Sequence, residues 1–348
     1  MSHGRTARRC GPVAEVVGPH RKPAHPPPPV SAPRKPPPLF TVLIPTYNRA
    51  HLVTRALNSV AAQEFSDFEI VVVDDGSSDG TLGEVRRWSQ RTGLPVTSIW
   101  KPNGGAHSAY NLGVRQARGE YIVVLGSDDQ LLPDALRKMA DAWASIPAAK
   151  KQAYCAVLGH GLHWSSRRLA GDPYPHDVWD SDFLQMKQRW GISGDKPGAY
   201  RRDLLMRHPF PVFEGERFMR ESFVIKQLAQ RYRTRFVNES FQLFEYQRDG
   251  LSASVRRLRV SSPRGMALCY RDEANRHSVG FSPGQRFEAH LQYVRHACNA
   301  GIGLRAQCGQ IESRTWLLLA LPFGLVKHWR DRLADAPQRQ ALGGRRAD

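Results

Sequence analysis

Between Phe40 and Gln130 the chain repeats one pattern: an apolar run stops abruptly at a polar loop, and a segment of helical period follows. The runs are FTVLI (Phe40–Ile44), FEIVVVDD (Phe68–Asp75), VTSIW (Val96–Trp100) and YIVVL (Tyr121–Leu125). An unbroken apolar run, as opposed to an alternating one, reads as a strand covered on both faces. The intervening segments have the other period. In His51–Gln63, Leu52, Val53, Ala56, Leu57 and Val60 fall on one helical face. Thr81–Thr92, Ala106–Ala117 and Pro133–Ser145 read as further helices. Strands alternating with helices predict an α/β domain built on a mainly parallel, Rossmann-like sheet flanked by helices. Such sheets bind ligands at the carboxyl ends of their strands. The loops PTYNR, DDGSSDG and GSDDQ fall at those ends.

The pattern loosens after about residue 150. YCAVLGHGL is a strand, SGDKPGAYRRDLL enters a strand and a helix, and RESFVIKQLAQRY is a helix. TRFVN and FQLFEYQ read as two separate strands. From Ser254 onward helices are expected near Pro263–His277, Pro283–Asn299 and Ile311–Ala334, with Pro322 kinking or breaking the last. That segment mixes Trp316, Leu318, Phe323 and Trp329 with Lys327, Arg330 and Arg332. It suits packing on the domain and also suits a membrane interface.

Residues 1–38 form a tail with seven Lys or Arg against one acid, Glu15, and nine prolines crowd Pro23–Pro38. Such a segment is extended and buries too little apolar surface to order itself. It has no apolar stretch of the kind a signal peptide needs. No run approaches the roughly 18 apolar residues of a membrane span. Five scattered cysteines without a CxxC pair argue against a disulfide framework or zinc site and for a reducing, cytoplasmic setting. The formal net charge of +18 predicts attraction to anions: phosphorylated substrates, acidic lipid or nucleic acid. The acidic loops at the ligand-binding edge argue against a specific nucleic acid.

Paired aspartates at the end of a buried strand are costly unless they bind something. Asp75, Ser77, Asp79 and Gly80 match the opening of a calcium loop. The twelfth position is Arg86 and the flank is a strand, so an EF-hand is rejected. No GxGxxG and no GxxxxGK[ST] occurs, which removes the dinucleotide and P-loop readings. In GSDD, Asp128 suits a hard cation that also takes diphosphate oxygens. Asp129 either caps the next helix or faces a sugar. In SGDKPGAY, Lys196 is a candidate for a phosphate and Asp195 for a sugar hydroxyl, with a plain turn as the alternative. In NGGAHSAYN, backbone N–H groups at a helix start stand beside His107, and Asn111 orients neighbouring loops. His160 and His163 share one face of their strand, with reach into the site as one reading and core or surface roles as the other.

These loops, in this order, resemble family 2 glycosyltransferases of the GT-A nucleotide-sugar fold. The matching blocks are VLIPTYNRAHLVTRALNSVAAQEFSDFEIVVVDDGSSDGT, NGGAHSAYNLGVRQARGEYIVVLGSDDQLLPDAL and, more weakly, FEGERFMRESFV, within Phe40–Asp249. The resemblance implies an inverting, metal-dependent enzyme using Mn²⁺ or Mg²⁺. It would move a sugar from a nucleotide-diphosphate donor, UDP-linked, to a hydroxyl of a glycan or lipid-linked saccharide in cell-envelope polysaccharide synthesis. It places Asp75 on the base or ribose, Tyr47 against the base with Pro45 and Thr46 in the same pocket, Ser127 and Asp129 on the donor side, and Asp128 on the metal. The base that takes the acceptor's proton maps to Glu221, with Glu214 and Glu216 as rivals. The sequence departs from the family at Gly126, where the first aspartate of the DxD motif belongs, which supports a second reading as a non-catalytic nucleotide-sugar-binding subunit. The implied organisation is a tail (1–38), a nucleotide-sugar-binding half (39–150), an acceptor-binding half (151–250) and a helical extension (251–348), with cytoplasmic placement and peripheral contact with the membrane.

Overall fold

The strand that organises the molecule, β1 (Phe40–Thr46), is buried at every position but Pro45. It pairs in parallel with β2 (Phe68–Asp74) on one side and with β4 (Tyr121–Val124) on the other, and β2 pairs in parallel with β3 (Val96–Trp100). The register sets Phe40 opposite Phe68 and Thr46 opposite Asp74. The two strands therefore end level, and the loops after Thr46 and Asp74 leave the sheet side by side.

The computed structural model describes Met1 and residues 36–245, 247, 251–276 and 280–343, with side chains outside 251–253 and 335–343. The chain divides into two units, Met1–Pro36 and Pro37–Asp348.

The helices that connect the parallel strands are α1 (Val53–Ala61), α2 (Thr81–Thr92) and α3 (Ala106–Gln116). α1 buries Val53, Ala56, Leu57 and Val60, the face read from the sequence; Leu52, grouped with them, precedes the helix and is half-buried. Trp88 of α2 is buried, and its indole N–H donates to Asn58 Oδ1 at 2.7 Å. That bond fixes α2 on α1 and satisfies the one polar atom of a large apolar side chain.

Beyond β4 the sheet turns antiparallel. β8 (Gly198–Arg201) pairs with β4 and with β6 (Tyr154–His163), β6 pairs in parallel with β9 (Arg233–Phe244), and the sheet has nine strands. Two short strands, β5 (Gln130–Leu131) and β7 (Val178–Ser181), pair antiparallel with β9. The segments TRFVN and FQLFEYQ are thus not two strands. They join in β9, and the polar step Asn238–Ser240 stays in the sheet because β6 absorbs it with register shifts around His160. α4 (Ala135–Ala144), α5 (Phe183–Gln188), α6 (Arg202–Arg207) and α7 (Ser222–Ala229) complete this part.

The C-terminal region holds α8 (Leu251–Val260), α9 (Pro263–Asn275), α10 (Pro283–Asn299), α11 (Leu304–Gln310) and α12 (Arg314–Gly343). α8 and α11 were not expected from the sequence. α10 starts with a capping box, Ser282 and Gln285 bonding each other's backbone, with Pro283 in its first turn. α12 runs through Pro322 as one helix, so the proline does not break it. Contacts with α10 on both sides of the proline account for this. Leu317 precedes it in a cluster with Tyr293 and Val294, and after it Arg295 holds Asp331 at 2.6 Å. A Cβ at Gly324 would stand 2.6 Å from Val294 Cβ, so the helices cross closely at this glycine.

Candidate active site

Asp74 and Asp75 end β2 buried. Neither is left bare. Asp74 Oδ1 accepts from Ser77 N at 2.9 Å, turning the loop. Asp75 receives the Lys101 ammonium and the Gly104 and Gly105 amides, the latter at 2.9 and 2.7 Å. Its carboxylate therefore anchors the loop ahead of α3. Gly105 is obligatory there: its φ is +89°, and a Cβ would lie 2.0 Å from the carbonyl oxygen of Arg217.

The loop after β1 is laced to the loop after β2. Asp75 N donates to Thr46 O at 2.9 Å, Asn48 N to Ser77 Oγ at 2.8 Å, and Ser78 N to Asn48 Oδ1 at 2.9 Å. Tyr47 stands on this frame, 46% exposed, with its ring open to solvent.

A cavity of about 660 Å³ opens beside the carboxyl end of β4 and is lined by residues of α3, α7 and α8 and of the loops that carry Asp128 and Lys196. Asp128, Asp129, Lys196 and Glu221 line it together, with Asp195 and Arg217. Pro45, Thr46, Tyr47, Asp75 and Ser127 are not among its lining residues; Ser127 is buried. His107 lines the cavity, buried, and burial pushes its pKa down. Asn111 bridges to the Phe210 backbone with both amide atoms, at 2.8 and 2.9 Å, which ties α3 to the loop before Glu221.

Gly126 is explained by its neighbour. A Cβ there would lie 2.6 Å from Asp129 Oδ2 and 3.1 Å from Asp128 Oδ1. Asp129 thus occupies the space a side chain at 126 would need. Burial, and then the charge of Asp128, push the Asp129 pKa up to about 7. Arg55 carries the loop from beneath: it pairs with Glu245 and donates to the Asp128 carbonyl oxygen. Two adjacent carboxylates held together, one shifted up by burial and by the other's charge, are what a divalent cation relieves. Mg²⁺-type sites use one or two carboxylates and complete their shell with phosphate and water oxygens. The donor set fits that use. Among the described residues no group of three or more His, Cys, Asp or Glu forms an all-protein metal site.

The three candidate bases separate cleanly. Glu216 is buried and spent: it accepts from Arg264 N and Gly265 N, both at 2.8 Å, at the start of α9. Glu214 is exposed and away from the cavity lining. Glu221 immediately precedes α7, makes no side-chain cap bond and lines the cavity. Its Oε1 accepts from the Tyr110 phenol at 2.8 Å. Glu221 is exposed, and the protein packed near its carboxylate partly desolvates it. That desolvation raises its pKa, with Asp195 adding to the rise and the Tyr110 bond opposing it.

Lys196 donates to the Asp172 carbonyl oxygen at 2.7 Å and lies 4.8 Å from the centroid of the Tyr174 ring. Burial, then the nearby Lys187, lower its pKa to about 8. His160 is buried against Tyr174 and bonds Asn238 at 2.8 Å; neither it nor His163 lines the cavity. Tyr110, Arg217 and Arg55 were not singled out from sequence. Tyr110 lies within a quoted motif, but its partner is 111 residues away. Arg55 sits on the polar side of an amphipathic helix, where an arginine carries no local signal.

A mixed sheet with a parallel half that carries laced loops at its strand ends, and a carboxylate-lined cavity beside them, fits the GT-A class of fold. Residues 1–349 of Staphylococcus aureus TarS, solved in complex with UDP-GlcNAc, share it, with a TM-score of 0.55 at 20% identity over 87% of this chain and 92% of that one. Residues 41–205, a little under half of the chain, match the glycosyl transferase family 2 description. The S. aureus poly(ribitol-phosphate) β-N-acetylglucosaminyltransferase TarS is 38% identical over 103 residues, 29% of this chain and 18% of TarS. The Campylobacter jejuni GalNAc(5)-diNAcBac-PP-undecaprenol β-1,3-glucosyltransferase is 27% identical over 218 residues, 60% of this chain and 64% of that one. The chain thus spans less than two thirds of the length of either relative.

Proposed function

We propose that this chain transfers one sugar from a nucleotide-diphosphate donor, UDP-linked, to a hydroxyl of a glycan or lipid-linked saccharide in cell-envelope polysaccharide synthesis, with inversion and with Mn²⁺ or Mg²⁺ bound at Asp128. The observation that carries this reading is the meeting of Asp128, Asp129, Lys196 and Glu221 on one cavity at the strand ends of a family 2 domain. The names of TarS and of the C. jejuni enzyme support the acceptor class. The UDP-GlcNAc complex of TarS supports a UDP-linked donor.

In this reading Glu221 takes the proton of the acceptor hydroxyl as that oxygen attacks the anomeric carbon from the face opposite the diphosphate. The raised pKa makes Glu221 a stronger base than an ordinary carboxylate, and Tyr110 aims it. Lys196 and Arg217 face the negative charge of the leaving diphosphate. A bound divalent cation would add Lewis-acid stabilisation of the same charge. Tyr47, on its laced frame, offers an aromatic face to the base. Pro45, Thr46 and Ser127 hold that side of the donor site in place. Asp75 contributes by fixing the glycine loop as well as through any contact with the nucleoside.

No helix among the described residues is long and apolar enough to cross a membrane. The proposed placement is cytoplasmic, at the inner face of the membrane. A second reading, a nucleotide-sugar-binding subunit without catalysis, is favoured by the missing carboxylate at Gly126. UDP release from a panel of UDP-sugars, with Mn²⁺, Mg²⁺ or EDTA, separates the two. Cation-dependent release that Asp128→Ala abolishes supports the enzyme. Binding of UDP-sugar without release supports the subunit.

A further inference from the structure

One face of α12 carries a run of exposed large apolar side chains. Leu318, Leu319, Phe323, Val326, Trp329 and Leu333 are 54–71% exposed on a single helix, and Pro322 between them is exposed as well. At about 3.6 residues per turn they form one stripe about 140° wide, running about 22 Å along the axis. The opposite face is the packed one: Leu317, Ala320 and His328 are buried there, and Asp331 is tied to Arg295 and Asn299 of α10. Phe323 meets Phe287 of α10 edge-on at 5.5 Å, which widens the apolar surface beyond α12. Contiguous exposed apolar surface of this kind marks an interaction site.

The rim decides the partner. Arg314 and Arg332 project along one edge of the stripe and Lys327 along the other, with Arg330 inside it; the three arginines are exposed. The one acid of α12 between Arg314 and Ala334, Asp331, points away and is paired with Arg295; on the Lys327 edge Glu288 of α10 pairs with Lys327, so the three arginines carry the net charge of the rim. Face-to-face packing of two copies would set basic side chains against basic side chains on both edges, in either direction of the helices. An anionic lipid surface instead matches apolar stripe and basic rim together, with Trp329 at the interfacial depth that suits an indole. The helix is not apolar enough to span a bilayer, so it would lie in its plane.

We propose that α12 is a membrane-docking helix that seats the chain on an anionic bilayer through this stripe. The proposal names the surface for the peripheral placement given above. It rests on α12 alone and does not depend on the transfer reaction.

The test is co-sedimentation of the full chain with vesicles of phosphatidylcholine alone and of phosphatidylcholine with phosphatidylglycerol. The wild type is expected to pellet with the anionic vesicles, less so as salt rises. Phe323→Glu with Trp329→Glu should lower partitioning by about tenfold or more with unchanged melting. Arg330→Glu with Arg332→Glu should remove the preference for phosphatidylglycerol. Leu319→Ser with Val326→Ser serves as a milder second pair should the first fail to fold. The proposal is overturned if the wild type stays in the supernatant, or if folded stripe variants pellet as before. It is equally overturned if light scattering finds a dimer that these variants dissociate, because a second copy would then be the occupant. These readouts are independent of UDP release, so failure here and failure of the transfer reading are distinguishable.

Discussion

The Tyr110 phenol donates to Glu221 Oε1 at 2.8 Å and joins α3 to the start of α7. Desolvation raises the Glu221 pKa and this bond holds it back. A base acts only when ionised, so turnover should fall as pH drops through the Glu221 pKa, at higher pH than for an ordinary glutamate. Tyr110→Phe removes the opposing bond and should move that acidic limb further up. A pH profile of UDP release for both proteins checks the direction; an unmoved limb would separate Tyr110 from the base.

Gly126→Asp would place a third carboxylate where Asp129 Oδ2 already lies 2.6 Å from the new Cβ. Without added cation the variant should lose about 1–3 kcal/mol of stability through crowding and like charge. Mn²⁺ should restore part of that loss and raise its melting temperature more than it raises the wild type's. Thermal melts with EDTA and with Mn²⁺ measure both effects.

Removing the Asp75 carboxylate strands the Lys101 ammonium and frees the Gly104 and Gly105 amides. Asp75→Ala should cost about 3 kcal/mol, as for other ion pairs broken from one side. Chemical denaturation should show the drop in midpoint. Asp75→Asn, which keeps an acceptor, should lose less.

Gly105→Ala adds one methyl and should still cost about 2 kcal/mol or more. The methyl meets the Arg217 carbonyl oxygen, and the φ of +89° suits only glycine well. Because Arg217 lines the cavity, UDP-sugar affinity should fall along with stability. Calorimetry with UDP reports the first and melting the second.

Much of the fold is written locally. β1 through α3 are legible because apolar runs, helical faces and glycine-bearing turns follow one another at close range. What escapes is decided at a distance. β5 has only Gln130 and Leu131 and exists because β9 pairs with it. Asn238–Ser240 resembles a turn and becomes strand because β6 accommodates it. Pro322 ends an isolated helix in principle, and here α10 supports both sides of it. The site divides the same way. Asp128, Asp129 and Lys196 are visible as loop chemistry. That Glu216 is spent on Arg264 and Gly265, leaving Glu221 facing the cavity, depends on contacts about fifty residues apart and more. Gly126 looks like a defect in the sequence; in three dimensions it lies against the Asp129 and Asp128 carboxylates.

The central claim is that Glu221 is the base in a cavity that binds the donor without it. Donor affinity and turnover measured side by side for wild type and Glu221→Gln test it most directly. The account predicts unchanged affinity for UDP with Mn²⁺ and a fall in turnover of about 10²–10⁴-fold. Turnover that stays at the wild-type level, or a loss of affinity equal to the loss of turnover, would contradict it.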